Sequence, residues 1–330
     1  MDRVAALTNQ ERNELFELTS SKMNLPGAAV EKDFWVCWVL KQLFGSTELS
    51  PQLLFKGGTS LSKCYGLIER FSEDIDLILD WEKLTDEDPY EIRSNTKQDL
   101  FNKDMKALAE GYVKDTLLPL LQSELGQICN ASIHPDRAGS ITIDFPGSFE
   151  SDYIKPSIEL EIGPMSAMIP HSDVRIKPYC ADVAPQLFSE PTTQVRAIDA
   201  KKTFWDKVTI LHVEAHRPED KQQQARYSRH YYDLYQMINS EIRNEAMNDI
   251  DLLKTTFEFK KKFYPQGWAN YKAAVAGEIK LTPAAYLSAI LERDYAQMEE
   301  MIFGDYPRFT DIMQTISQFE SELIEAVRKS

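Results

Sequence analysis

The run Phe55-Lys56-Gly57-Gly58-Thr59-Ser60-Leu61-Ser62-Lys63, followed by Arg70-Phe71-Ser72-Glu73-Asp74-Ile75-Asp76-Leu77, narrows the possible folds more than any other stretch. Leu53-Leu54-Phe55 has the look of a short buried strand. Gly57 and Gly58 end it just before an expected helix over Thr59 to Glu69, in which Leu61, Tyr65 and Ile68 fall at i, i+4 and i+7. A glycine pair there lets the backbone approach a ligand closely, and a helix start offers N–H groups to phosphate oxygens. In the strand that follows, Ile75, Leu77 and Leu79 face one way while Asp74 and Asp76 face the other. Carboxylates at i and i+2 stand roughly 6.6 Å apart along a strand. Their oxygens can converge on magnesium, which takes oxygen ligands at about 2.0–2.1 Å. Either element alone is common, and a lone Asp-x-Asp is usually a solvated face. The order strand, Gly-Gly-Thr, helix, strand with paired Asp is far more specific, because it sets a phosphate cradle beside a metal site.

Around this core the pattern changes character. Thr8 can cap a helix carrying Leu15, Phe16 and Leu18, and Val30-Glu31-Lys32-Asp33-Phe34 opens a second helix to about Gly45 after the Pro26-Gly27 break. Further strands are expected at Ser140–Phe145 and Ser157–Ile162, with a long helical stretch from Asn95 to Gln127. From about Val195 the chain is nearly all helix, with loops near Arg217-Pro218 and Pro265-Gln266-Gly267. A length of 330 residues suits two domains or one core with an appendage. The expected layout is a helical N-terminal segment (1–50), an α/β (α+β) core with a mixed sheet (51–194) and a helical C-terminal domain (195–330).

Charge limits the partners. Fifty-two acidic against 37 basic residues give −15, so the molecule as a whole repels nucleic acid and an RNA partner needs a local basic patch. The best candidate is Lys254 to Lys280, where Lys260, Lys261, Lys262 and Lys272 alternate with Phe257, Phe259, Phe263, Tyr264, Trp268 and Tyr271. Most of those aromatics are expected to pack in a helical core. No apolar run approaches the roughly 20 residues a bilayer demands, and, since Met1-Asp2-Arg3-Val4 has no basic region feeding an apolar stretch, no signal peptide is expected. Cys37, Cys64, Cys129 and Cys180 form no CxxC, which argues against a zinc ribbon or disulfide scaffold. A cytoplasmic protein is expected. His212-Val213-Glu214-Ala215-His216 places imidazoles at i, i+4 but lacks the Glu directly after the first His that a zincin needs.

The run KGGTSLSK…RFSEDIDLIL resembles the first motif of the AbiEii/AbiGii-type nucleotidyltransferase toxins, relatives of the MenT toxins within the DNA polymerase β-like superfamily. Val30-Glu31-Lys32-Asp33-Phe34-Trp35, Thr203-Phe204-Trp205-Asp206-Lys207, Ser228-Arg229-His230-Tyr231-Tyr232-Asp233-Leu234 and Asp294-Tyr295-x-x-Met298 match in order, so the resemblance covers most of the chain. It implies a nucleotidyltransferase-fold core that moves a nucleoside monophosphate from an NTP to an acceptor and releases pyrophosphate, with Mg²⁺ or Mn²⁺. The implied acceptor is the tRNA 3′ end, which would stop translation in a toxin–antitoxin or phage-defence setting, opposed by a cognate antitoxin. Carried over by position, Asp74 and Asp76 are the metal-binding pair. Gly58 and Thr59 bind phosphate, with Lys56, Gly57, Ser72 and Arg229 completing the nucleotide-binding set. Lys207 is the lysine of the third motif and would contact the triphosphate. Asp233 is the aspartate of the fourth and, with Arg229, would position nucleotide or acceptor. The third carboxylate is Glu161 or Glu159, and Glu161 fits the family pattern better; Glu161, or the Asp pair through a second metal, would help deprotonate the acceptor. Alternatives are a module that binds nucleotide or RNA without transfer, and a transferase that modifies protein.

Helix geometry bears on two of these residues independently. Phe204, Val208 and Leu211 form an apolar stripe with Lys207 at its edge, which also suits a lysine stem that merely covers the core. Arg229 and Asp233, at i and i+4, lie off the stripe of Tyr231, Leu234 and Ile238, and as a surface ion pair would be worth about 0.2–0.5 kcal/mol.

Overall fold

The computed structural model describes residues 1–72, 74–149, 151, 154–164 and 169–329. The chain forms two compact units: Met1–Cys64 with Ser72–Ile198, and Tyr65–Phe71 with Asp199–Ser330.

In the first unit, seven strands among the described residues make one mixed sheet. They are β1 (Leu53–Lys56), β2 (Asp74–Leu79), β3 (Asn130–His134), β4 (Arg137–Asp144), β5 (Ser157–Gly163), β6 (His171–Ile176) and β7 (Thr193–Ile198), in the order β3-β4-β5-β2-β1-β7-β6. The central strand β2 runs antiparallel to β1 and parallel to β5. Its Ile75 and Leu77 are fully buried while Asp74 and Asp76 are half-buried, as period-two alternation requires. The helices of this unit are α1 (Asp2–Ala5), α2 (Asn9–Met23), α3 (Gly27–Gly45), α4 (Gly57–Lys63), α5 (Asn95–Tyr112), α6 (Leu118–Leu125) and α7 (Cys180–Val183). Thr8 and Glu11 form the reciprocal capping box that starts α2. From Ala28 to Leu40 every residue of α3 is buried, and Trp35 stacks on Phe145 with centroids 5.7 Å apart. A helix buried on all sides belongs to the core, not the surface. Its charged residues therefore need partners. Asp33 pairs with Lys63 at 2.5 Å and accepts the Tyr179 N–H at 2.7 Å, while Glu31 accepts the N–H of Ser148 at 3.0 Å.

Three strands, β3, β6 and β7, lie outside the expected set. β3 and β6 are the sheet's outer strands, and each turns only two apolar residues inward, Ala131 and Ile133 or Val174 and Ile176, too short an alternation to stand out in the sequence. The helix expected over Thr59 to Glu69 ends at Lys63, and Gly66 takes a left-handed φ of +60° soon after. Tyr65–Phe71 then belongs to the second unit. Tyr65 and Ile68, which had completed a helical stripe on paper, are therefore not on α4.

The second unit contains α8 (Ala200–Ala215), α9 (Ser228–Ile238), α10 (Ile242–Met247), α11 (Ile250–Phe263), α12 (Tyr271–Val275), α13 (Ala285–Ala296) and α14 (Phe309–Lys329). Its core holds Phe204, Trp205, Tyr231, Leu234, Phe257, Ile316 and Phe319, with Phe204 edge-on to Phe319 at 5.4 Å. The segment Tyr65–Phe71 is clamped here by its backbone: Phe71 N–H donates to Met301 at 2.7 Å, and Phe303 N–H donates to Glu69 at 2.8 Å. Among the described residues no helix is long and apolar enough to cross a membrane.

Candidate active site

In the first unit the site grows from strand register. Asp74 lies opposite Glu159 and Asp76 opposite Glu161 in the parallel β2–β5 pair, while Lys56 lies opposite Asp76 in the antiparallel β1–β2 pair. Directly paired residues present their side chains on one face. Four carboxylates thus share one face of the sheet. Burial, then Glu161, Glu159 and Asp76, push the Asp74 carboxyl up to about 6, against the opposing charge of Lys32. Such crowding is costly without a cation. From β4, Arg137 meets Glu161 at 2.8 Å and also contacts Glu159. Arg137 and Lys32 are the local counter-charges that sequence reasoning missed. Lys32 sat in a matched motif, but its burial at 2% exposure was not legible there.

Gly57 and Gly58 open α4 directly after β1. Gly57 adopts φ +83°, and a Cβ on it would lie 1.9 Å from Oδ2 of Asp76. Glycine is needed twice over, for its backbone conformation and for the space Asp76 occupies. Gly57→Ala is accordingly expected to displace Asp76 and weaken Mn²⁺ binding about tenfold, a change of about 1.4 kcal/mol. Paramagnetic titration checks this; unchanged affinity would separate Asp76 from the cation. The Thr59 hydroxyl donates to the backbone carbonyl of Asp74 and so ties the start of α4 to the start of β2. Thr59 is buried, and its hydroxyl positions the strand. Ser72, half-buried, lies between the Tyr65–Phe71 segment and β2.

Among the described residues no group of three or more His, Cys, Asp or Glu side chains gathers as a complete metal site. The donors present are carboxylate oxygens, with Asp74 and Asp76 flanked by further carboxylates. That set fits magnesium, which commonly takes one or two carboxylates and fills its shell with water and substrate phosphates.

The second unit holds a buried charge cluster. Asp233, 0% exposed, accepts from Arg70 through Nε at 2.6 Å and Nη2 at 2.8 Å, and from Lys207 Nζ at 2.6 Å. Lys207 Nζ also stands 3.1 Å from Nδ1 of His230. Burial alone would raise the Asp233 carboxyl, but Arg70 and Lys207 outweigh it and hold Asp233 well below the usual range. Burial and the neighbouring Lys207 and Arg229 charges keep His230 neutral. Burial also lowers Lys207, opposed by Asp233. The structure brings Lys207 and Asp233 together and leaves Arg229 out: Arg229 is exposed on α9, and the partners of Asp233 are Arg70 and Lys207. The helical Arg229–Asp233 pair is thereby corrected, because Asp233 turns inward to two cations that desolvation makes stronger partners. Asp294 accepts the N–H of Arg226 at 2.6 Å and of Ser228 at 2.8 Å, and the Ser228 hydroxyl meets Met298 Sδ at 3.0 Å. The matched Asp294…Met298 pair thus anchors the start of the helix that carries Asp233.

His212 is buried in the core beside Phe257, accepts the Lys280 N–H at 3.2 Å, and burial pushes its imidazole down to about 4. It packs as a core residue. In the basic stretch Phe257, Phe259, Phe263 and Tyr271 are buried, and Tyr264 is exposed. Lys260, Lys261 and Lys262 fall in the last turn of α11, where positive charge also offsets the helix dipole.

Comparison with known proteins agrees with these motifs. The family model described as nucleotidyl transferase AbiEii toxin, type IV toxin–antitoxin system, matches residues 38–316. No curated protein matches the chain. Among solved structures, the nucleotidyltransferase toxin MenT4 from Mycobacterium tuberculosis is 14% identical with TM-score 0.44, covering 91% of this chain and 92% of that one. The structure of JHP933 from Helicobacter pylori is 14% identical with TM-score 0.42, covering 92% and 94%. Values this low carry no argument of their own, and the assignment rests on the family model.

Proposed function

The chain belongs to the AbiEii nucleotidyltransferase toxin family, and from that premise we propose that it transfers a nucleoside monophosphate from an NTP to the 3′ end of tRNA in a Mg²⁺-dependent reaction. The observation that carries this reading is the register that sets Asp74 and Asp76 beside Glu159 and Glu161, next to a glycine turn with no room for a side chain. Asp74 and Asp76 would hold the cation, Mg²⁺ or Mn²⁺. When bound, it would offset triphosphate charge and make the acceptor hydroxyl more acidic. The backbone at Gly57, Gly58 and Thr59 would meet phosphate oxygens, with Lys56 and Ser72 beside it. In the transfer, the acceptor oxygen bonds to the α-phosphorus, the bond to the bridging oxygen breaks, and pyrophosphate leaves. Glu161 would take the hydroxyl proton once Arg137 loosens its hold. Lys207 would supply positive charge where it builds on the transferring phosphoryl group.

Incubation with each α-labelled NTP, Mg²⁺, total RNA and total protein tests this. Label is expected in the tRNA fraction. Label in protein instead would make the chain a protein-modifying transferase. No label in any fraction, with NTP still bound, would favour a binding module. Expression without an antitoxin is expected to arrest growth, as the type IV toxin family implies.

RNA would have to be held locally, given a net charge of −15. Replacing Lys260, Lys261 and Lys262 by Ala is expected to weaken tRNA binding and flatten its salt dependence by about one slope unit per lost phosphate contact. A salt titration identical to wild type would place the RNA elsewhere.

A further inference from the structure

Arg137 is the first residue of β4, where the chain has just turned back from the outer strand β3. Its guanidinium spans the two glutamates of β5: Nη1 donates to Glu161 at 2.8 Å, and Nη2 contacts Glu159. Those glutamates are the register partners of Asp76 and Asp74, the proposed metal ligands. One arginine thus engages the carboxylates that border the proposed cation. A planar guanidinium is suited to that span, because it presents several donors in a fixed fork and stays charged. The contact is also easily given up. The Arg137 side chain is 47% exposed and that of Glu161 44%, so water screens the pair and rehydrates the guanidinium as it lets go. Lys32, the other local counter-charge to Asp74, is buried at 2% exposure and has no such retreat into solvent. A divalent cation beside Asp74 and Asp76 attracts the same glutamates with twice the charge. Arginine and cation also repel one another, so the two cannot share that patch without cost.

We propose that Arg137 competes with the divalent cation for Glu159 and Glu161, so that metal binding releases the arginine and uncovers Glu161. The proposal rests on the reading of Asp74 and Asp76 as metal ligands. It gives the freeing of Glu161 a cause, and it ties that event to the presence of the cation. Such competition is reciprocal: whatever Arg137 costs the cation in affinity, the cation costs Arg137 in its hold on the glutamates.

Two measurements on the full chain test this. The first is Mn²⁺ binding, followed by water proton relaxation, in wild type and Arg137→Gln. Glutamine removes both the charge and the fork at a position exposed enough to leave the fold intact. Arg137→Gln is expected to bind Mn²⁺ about fivefold more tightly, equivalent to about 1 kcal/mol. The second is phenylglyoxal labelling of Arg137 in wild type, read by peptide mass spectrometry. By reciprocity it should run up to about fivefold faster in saturating Mg²⁺ than in EDTA. Unchanged or weaker Mn²⁺ binding by Arg137→Gln would overturn the proposal, since the arginine would then be neutral to the metal or would support it. Tighter binding combined with a labelling rate indifferent to Mg²⁺ would make Arg137 a distant charge only, and would overturn it too. Wild type that binds no Mn²⁺ would instead remove the metal reading itself, and the proposal with it.

Discussion

Asp74→Asn is expected to abolish nucleotidyl transfer and, in the same protein, to raise the melting temperature in cation-free buffer. The two effects have one cause. Burial and three neighbouring carboxylates push the Asp74 carboxyl up to about 6. The folded state therefore holds that proton more tightly than the unfolded chain, where an aspartate titrates near 3.9. Below about pH 4 Asp74 is protonated in both states and costs nothing. As pH rises from about 4 to about 6 the folded state loses stability from this group, by up to about 3 kcal/mol before solvent screening reduces it. Asparagine removes that loss. Melting curves from pH 4 to 7 in EDTA should show the variant gaining on wild type through this window, and Mg²⁺ should close the gap at pH 7. Transfer should meanwhile fall on the order of a thousandfold or more, since a metal's charge stabilisation is worth several kcal/mol. A variant that melts below wild type at pH 7 would mean the carboxylates do not repel. One that keeps full activity would remove Asp74 from the metal site. Asp76→Asn tests the second ligand, with metal affinity falling more than stability.

The second large effect is expected from Asp233→Ala. This substitution leaves Arg70 and Lys207 buried without their shared anion. Removing one partner of a buried charge group costs about 3–5 kcal/mol, so chemical denaturation should show a loss of that size. The sign with pH is opposite to that of Asp74. Asp233 is held well below its unfolded value, so its contribution is complete above about pH 4 and is lost as pH falls below that. Wild type and the alanine variant should therefore converge in stability as the solution is acidified. A loss below about 1 kcal/mol at pH 7 would mean the cluster relaxes by rehydrating its cations.

Part of the site was legible in the sequence because its signals are local. Alternation of apolar and acidic residues from Asp74 to Leu79 is a property of neighbours along one strand, and it placed both aspartates on one face before any fold was known. The glycine pair announced a backbone constraint, and Gly57 indeed occupies a conformation that other residues rarely adopt. The capping box at Thr8 and the buried helix beginning near Val30 were equally local. Outer strands β3 and β6 were not, because each buries only two apolar residues, and so short an alternation is common in loops as well. The helix projected through Ile68 failed for a related reason. Periodicity counts apolar positions, and it cannot see that Gly66 turns the chain away or that Arg70 has a distant partner.

By itself the sequence determined the chemistry on offer: a glycine turn, paired aspartates on one strand face, a lysine at the edge of a helical stripe and an aspartate on the next helix. Only the tertiary structure decided how those groups are partnered. Glu161 meets Asp76 because β5 runs parallel beside β2, and no rule of spacing fixes that register. Asp233 leaves Arg229, four residues away, and takes Arg70, 163 residues away. The reason is physical. An ion pair on a helix surface is screened by water and worth a few tenths of a kcal/mol. A fully desolvated carboxylate must be matched by cations buried with it, and only the folded chain can bring those cations to it.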